Sequence, residues 1–293
     1  MKLNTNHKIL IVGLGLLGGS YARALTKKGF TVTAITKSQS SIDYALKEKI
    51  IAKGSAFVDT ELIGEADIVV FALYPHVFVE WIKENQHLLK SGAIITDVTG
   101  VKESIVDTIQ GMLRTDVEFI SAHPMAGREV YGVENSDDAI FKGANYVVTP
   151  SEKNTPDAIE LCRDLGKTLG FAKISQLSPK DHDKIIAFVS QLTHCIAISL
   201  MTCQKTERLE DYTGDSFRDL TRIARLNEDM WSEDMWSELF LINKTALLHQ
   251  LTLFEGELNH LRCMLEEDDV EGLKDMMRYS TARRALFDKK PID

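Results

Sequence analysis

The sequence predicts an α/β fold, a doubly wound parallel sheet followed by an all-helical C-terminal domain. Three observations carry this. Short apolar runs alternate with helical segments through the first part of the chain, the first run opens into a glycine-rich turn, and strand signals stop near Gln176. The boundary is expected there, with residues 1–176 as the sheet domain and 177–293 as the helical one. With 293 residues the chain is long enough for two cores.

Residues 8–12, Lys-Ile-Leu-Ile-Val, make the continuous apolar run of a strand buried on both faces. Gly13-Leu14-Gly15-Leu16-Leu17-Gly18-Gly19-Ser20 follows at once, and residues 21–28 are helical in character. GxGxxG between a strand and a helix is a Rossmann-type dinucleotide signature. Gly13 permits the tight turn, Gly15 lets a pyrophosphate approach the backbone, and Gly18 lets the helix lie against the strand. The helix N-terminus offers free N–H groups to the phosphates, and Leu16 and Leu17 of the turn are counted with the glycines as cofactor contacts. The second strand, 31–35, would end in an Asp or Glu at an NAD-selective site. Here Thr36-Lys37-Ser38 stands instead. No carboxylate repels a 2′-phosphate, so NADP is expected to serve at least as well as NAD.

Residues 68–73 form another buried strand, ending at Leu73-Tyr74-Pro75, a loop that runs along the cofactor in this architecture. Residues 93–97 are a further strand, leading into Val98-Thr99-Gly100-Val101-Lys102, and 117–120 another. Ser121-Ala122-His123-Pro124-Met125-Ala126-Gly127-Arg128-Glu129 then begins where an open α/β sheet places its ligand crevice. A loop is expected here. Pro124 holds His123 extended, Gly127 permits a sharp turn beside a bound molecule, and Arg128 and Glu129 bring opposite charges near the imidazole. Strands at 145–150 and 171–175 flank a helix at 157–169.

Helical periodicity then runs over 181–207, 243–267 and 269–287. His182 and His194, twelve residues apart, are turned about 120° from each other, so no two-His metal site is expected, and HExxH is absent. Gln191 and His194, three apart, share a face. Arg222 lies in the amphipathic stretch Asp219-Leu220-Thr221-Arg222-Ile223-Ala224. Alone, each of these reads as a polar residue on a helix surface. Residues 230–238 hold a five-residue duplication, Met-Trp-Ser-Glu-Asp then Met-Trp-Ser-Glu. A net charge of −9 argues against a nucleic-acid-binding surface. Four scattered cysteines without a CxxC pair fit reduced thiols of a cytoplasmic protein. No secretory leader is expected, no apolar run is expected to reach membrane-spanning length, and no membrane partner follows.

Together these stretches resemble the prephenate dehydrogenase family of tyrosine biosynthesis, which includes the arogenate dehydrogenases. The resemblance covers nearly the whole chain. It rests on the GxGLLGGS turn at 13–20, on 96–102, on Ser121-Ala122-His123-Pro124-Met125-Ala126-Gly127, on His182-Asp183, on 190–194, on 217–224 and on 235–243. It implies NAD(P)-dependent oxidative decarboxylation of prephenate to 4-hydroxyphenylpyruvate. His123 would take the proton of the ring hydroxyl, and Arg222 would hold a substrate carboxylate. His194, Gln191 and Gly127 would line the substrate site, and Glu129 would form part of a polar gate. A homodimer through the C-terminal helices is also implied. Family members often carry Ser at the position of Gly100, with Thr99 the adjacent substitute, and His where Gln191 stands. The second departure leaves prephenate and arogenate both open. Two rivals have different requirements. A β-hydroxyacid dehydrogenase would use a Lys on the long helix, where Lys180, Lys184 and Lys205 are available. A non-catalytic dinucleotide sensor would not need His123.

Overall fold

The structure is a computed structural model that describes residues 2–128, 130–225 and 230–287, with the backbone alone over 230–234. The chain runs β1 (Lys8–Val12), α1 (Leu16–Lys27), β2 (Thr31–Ile35), α2 (Gln39–Lys47), β3 (Lys53–Ser55), α3 (Thr60–Glu65), β4 (Ile68–Phe71), α4 (Pro75–Asn85), β5 (Ile94–Asp97), α5 (Glu103–Met112) and β6 (Glu118–Phe119). The six strands form one parallel sheet in the order β3-β2-β1-β4-β5-β6. Strand order reverses between β1 and β4, the doubly wound arrangement whose crevice opens at the carboxyl ends. Alternation along β1 explains why both faces need helices. Ile9 and Ile11 enter one apolar cluster with Tyr21 and Leu25 of α1, whereas Leu10 and Val12 enter another with Phe78 and Ile82 of α4.

After Ile120 the backbone leaves this sheet for another. β7 (Ser121–Met125) pairs antiparallel with β8 (Asn145–Thr149), and β8 pairs parallel with β9 (Lys173–Gln176). Between β8 and β9, α6 (Pro156–Leu169) is capped by Thr155 and closed by Gly170 at φ +93°. The segment expected as a loop around His123 is therefore a strand over 121–125. Pro124 is compatible because β7 is an edge strand of the three-stranded sheet, where a missing N–H costs no interior ladder bond. Gly127 is exposed, with open space where a Cβ would stand and no positive φ, so it makes no demand that only glycine meets.

The helical part begins with one continuous helix, α7 (Pro179–Ile186), a π-helical stretch (Ala187–Leu192) and α8 (Thr193–Thr202). This 24-residue run is long and apolar enough to cross a membrane by length and composition, which corrects the expectation that none reaches that span. Ser190, Gln191, Thr193 and His194 interrupt its apolar residues without adding charge, so its mean hydropathy stays high. The same helix buries His182, Asp183 and Gln191, all hydrogen-bonded within the protein. Next come α9 (Asp215–Thr221) and α10 (Met230–Ile242), which contains the duplicated segment. Residues 1–243 form one compact unit. A second unit, 244–293, contains α11 (Lys244–Glu266) and α12 (Val270–Arg284).

Candidate active site

The glycine turn has the backbone a dinucleotide needs. Gly13 sits at φ +95°, and a Cβ there would lie 2.3 Å from Ala72 O and 2.9 Å from a Leu73 methyl. A Cβ on Gly18 would lie 1.9 Å from Gly13 O, so α1 could not pack as closely with any other residue. Gly15 has open space in front of it and, as the α1 N-cap, brings no side chain to the helix start. The first turn of α1 is thus presented through backbone, as phosphate binding requires. Leu73 overhangs the turn, and Tyr74 caps α4 with Pro75 at its first position. At the end of β2, Lys37 is exposed, and Ser38 Oγ caps α2 by accepting from Ser41 N at 3.2 Å.

A buried ion pair lies where β5 ends. Asp97 and Lys102 have no exposed side-chain surface and meet at 2.8 Å. Asp97 also accepts from Ser121 Oγ at 2.6 Å and Ala122 N at 3.3 Å, while Lys102 Nζ donates to Ala122 O at 2.7 Å. One carboxylate and one ammonium therefore fasten the start of β7 to the carboxyl edge of the parallel sheet, with the residue before His123 held from both sides. Burial lowers the Lys102 pKa, and Asp97 opposes that shift. Thr99 Oγ1 donates to Asp97 Oδ2 and lies 3.0 Å from Val101 O. Thr99, expected beside His123 as a catalytic and cofactor residue, thus commits its hydroxyl to the ion pair.

His123 instead meets a second imidazole. Its Nδ1 is 2.9 Å from His182 Nε2, and His182 Nδ1 is 2.7 Å from Asp183 Oδ1. Asp183 accepts in addition from the backbone N–H groups of Lys102 and Glu103, both at 2.8 Å, and so closes the start of α5. Burial, His182 and Lys102 together hold the His123 pKa well below its ordinary value. Burial also lowers that of His182, against the pull of Asp183. A Cβ built on Gly100 would be 3.9 Å from His123 Cε1 and 3.7 Å from Leu239, ordinary contacts that a serine could make.

Helix α10 closes one side. Trp236 lies over His194 with ring centroids 3.8 Å apart. Glu238 accepts from His76 N at 2.9 Å and pairs with His76 Nδ1 at 2.8 Å, joining α10 to the start of α4. Gln191 donates to Leu239 O at 2.9 Å and accepts from Asn243 Nδ2 at 2.8 Å. Gln191 and His194 both face α10, but the Gln191 amide is spent on holding that helix. Arg222 is exposed and begins a short turn, Arg222–Ala224, after α9. Its neighbour Arg218 is tied to Asp215 Oδ1 at 3.1 Å and Thr213 O at 3.2 Å. Glu129 lies outside the described residues. Among the described residues no three His, Cys, Asp or Glu side chains gather as metal ligands.

A model of the prephenate dehydrogenase nucleotide-binding domain matches residues 21–175, and one of the prephenate dehydrogenase dimerization domain matches residues 178–279. The chain belongs to the prephenate dehydrogenase family. It is 30% identical over 295 residues to the prephenate dehydrogenase of Bacillus subtilis, covering 97% of this chain and 76% of the relative. It is also 30% identical over 290 residues to the cyclohexadienyl dehydrogenase of Zymomonas mobilis, covering 95% of each. Its fold matches the A. aeolicus prephenate dehydrogenase, crystallised with hydroxyphenyl propionate and NAD+, with a TM-score of 0.87 and 28% identity over 98% of this chain and 100% of that one.

As a member of the prephenate dehydrogenase family the chain is an enzyme and an oxidoreductase. The features that sequence reasoning missed in this family member are the pairings around His123. His182 and Asp183 are adjacent in sequence, so their joint role appears in no helical spacing. Asp97 and Lys102 look like strand-end and loop polar residues until the sheet brings Ala122 between them. The β-hydroxyacid alternative loses its lysines, because Lys180, Lys184 and Lys205 are all exposed and Lys184 pairs with Asp181 at 3.2 Å.

Proposed function

We propose that the chain catalyses NAD(P)-dependent oxidative decarboxylation of prephenate to 4-hydroxyphenylpyruvate. The observation that carries this is a partly buried His123, held at 2.9 Å by His182 beside the loop that follows β5, with burial pushing its pKa below the ordinary value. Residues 1–176 would bind the dinucleotide, with the pyrophosphate at Gly13, Gly15, Leu16, Leu17 and Gly18 and the rest along Leu73, Tyr74 and Pro75. The bound nicotinamide supplies a hydride acceptor. His123 holds the ring hydroxyl and removes its proton as the carbon beneath it is oxidised, and release of carbon dioxide restores the aromatic ring. Residues 177–293 bind the rest of the substrate, with Arg222 on a carboxylate and His194 on the pocket wall. The reaction is placed in the cytoplasm, where four unpaired thiols stay reduced. The test is the rise in reduced-nicotinamide absorbance with prephenate and with arogenate. Turnover of prephenate is expected to exceed that of arogenate. Faster arogenate turnover reverses the substrate assignment, and no turnover of either overturns the proposal.

The loop after β2 favours NADP. Ser38 is engaged in capping, which leaves Thr36, exposed Lys37 and the first turn of α2 to receive a 2′-phosphate. One lysine near a phosphate contributes about 1–2 kcal/mol, roughly tenfold in kcat/KM. Comparing kcat/KM for the two cofactors decides it, and a strong NAD preference would show that Lys37 does not reach the cofactor.

Assembly as a homodimer through the C-terminal helices is supported by what α11 leaves uncovered. Of its 23 residues only Leu247 and Met264 are buried, while Leu248, Leu253, Leu258 and Leu265 are each at least half exposed. Exposed leucine in that density marks an interface. Light scattering at micromolar concentration is expected to give twice the chain mass of 32.9 kDa, and a monomeric mass would rule the dimer out.

A further inference from the structure

The direction of each proton in the His123–His182–Asp183 chain follows from backbone. Asp183 Oδ1 faces the N–H of Lys102 and Oδ2 faces the N–H of Glu103, each at 2.8 Å. A carboxylate engaged in this way by a backbone donor on each oxygen can only accept. His182 Nδ1, 2.7 Å from Oδ1, must then carry its hydrogen toward Asp183. A neutral imidazole has one N–H, so His182 Nε2 is a lone pair. That nitrogen lies 2.9 Å from His123 Nδ1, which must in turn donate. The remaining nitrogen of His123, Nε2, is left as the base.

We infer that His182 and Asp183 are positioning residues that fix the tautomer of His123 with Nε2 as the proton acceptor. Once Nε2 takes a proton, the imidazolium is held by an uninterrupted line of acceptors ending on the Asp183 carboxylate. The proton stays on His123, and no bond in the line is broken. Three elements are set against one another by this line: β7 through His123, α7 through His182 and Asp183, and the first turn of α5 through two backbone donors. The catalytic consequence rests on the proposed role of His123, but the tautomer itself does not.

Ring-nitrogen NMR of the uniformly labelled protein, without substrate and above neutral pH, reads the tautomer directly. The expected result is a protonated Nδ1 and an unprotonated Nε2 on His123. Replacing Asp183 with Asn removes the obligate acceptor and should give a mixed or reversed tautomer. A wild-type His123 protonated on Nε2 would overturn the inference whatever the substrate proves to be. Kinetics give a second measure. His182→Leu removes the acceptor and should lower kcat about tenfold to a hundredfold with KM little changed. His182→Gln offers an amide oxygen near the same place and should recover most of the loss. A purely structural role for His182 predicts that Gln and Leu lower kcat alike, in step with their melting temperatures, and that outcome would also overturn it.

Discussion

Replacing His123 with Asn is expected to lower kcat by about 10² to 10⁴ while leaving cofactor affinity near the wild-type value. Asn keeps an N–H donor but has no basic nitrogen, so the ring hydroxyl would still be bound and its proton would have nowhere to go. The fold should tolerate the change. His123 pairs through its backbone with Val147, and the residue before it is held by Asp97 and Lys102. The pH profile sharpens the test. The base works only when unprotonated, and burial, His182 and Lys102 push its pKa below the ordinary value of about 6.5. Activity lost to protonation of His123 is therefore expected only on the acid side of that value, with a flat profile around neutrality. The Asn enzyme should lack this acid limb. A near-normal kcat in the Asn enzyme would remove His123 from the mechanism.

Replacing Arg222 with Gln is expected to raise KM for prephenate by about thirtyfold to a thousandfold, equivalent to roughly 2–4 kcal/mol. Prephenate carries two carboxylates, and a pocket that takes them out of water must pair them. A guanidinium offers two parallel donors in a fixed plane, which Gln cannot reproduce. Cofactor binding and Tm are expected to stay close to wild type. A fall in Tm with KM unchanged would mean that Arg222 is structural and that another cation anchors the substrate.

The parts of this fold legible in sequence are those with local causes. Strands buried on both faces are dominated by apolar residues, and Ile9–Val12 of β1, all of β4 and the first half of β5 are apolar. The glycine turn between β1 and α1 was readable because its positions are dictated by backbone geometry within a few residues. Less visible was the change of sheet at Ile120. Nothing local marks it, since Ser121–Met125 is neither alternating nor continuously apolar and contains a proline. Its pairing with β8 is fixed twenty residues away. Thr99 is read as a substitute for a family serine because it adjoins Gly100 in sequence, and its hydroxyl donates to the buried carboxylate of Asp97, a partner that adjacency to Gly100 does not reveal. The resemblance implies that Gln191, at a position where family members carry His, lines the substrate site. Its amide donates to Leu239 O of α10 and accepts from Asn243, just past the end of that helix. His182 looked like a surface residue because the partner that buries it, Asp183, is itself anchored on α5, eighty residues upstream.

The knot at Asp97 and Lys102 separates two tasks that many enzymes entangle. The groups that aim and charge His123 come from residues 97–123 and from 182–183, all buried and all joined to one another. The residues proposed to face the rest of the substrate, His194 beneath Trp236 and Arg222 on its short turn, lie outside this joined set. Selection can therefore redraw the wall without retuning the acid–base centre. Relatives of equal identity to this chain carry the names of both a prephenate and a cyclohexadienyl dehydrogenase.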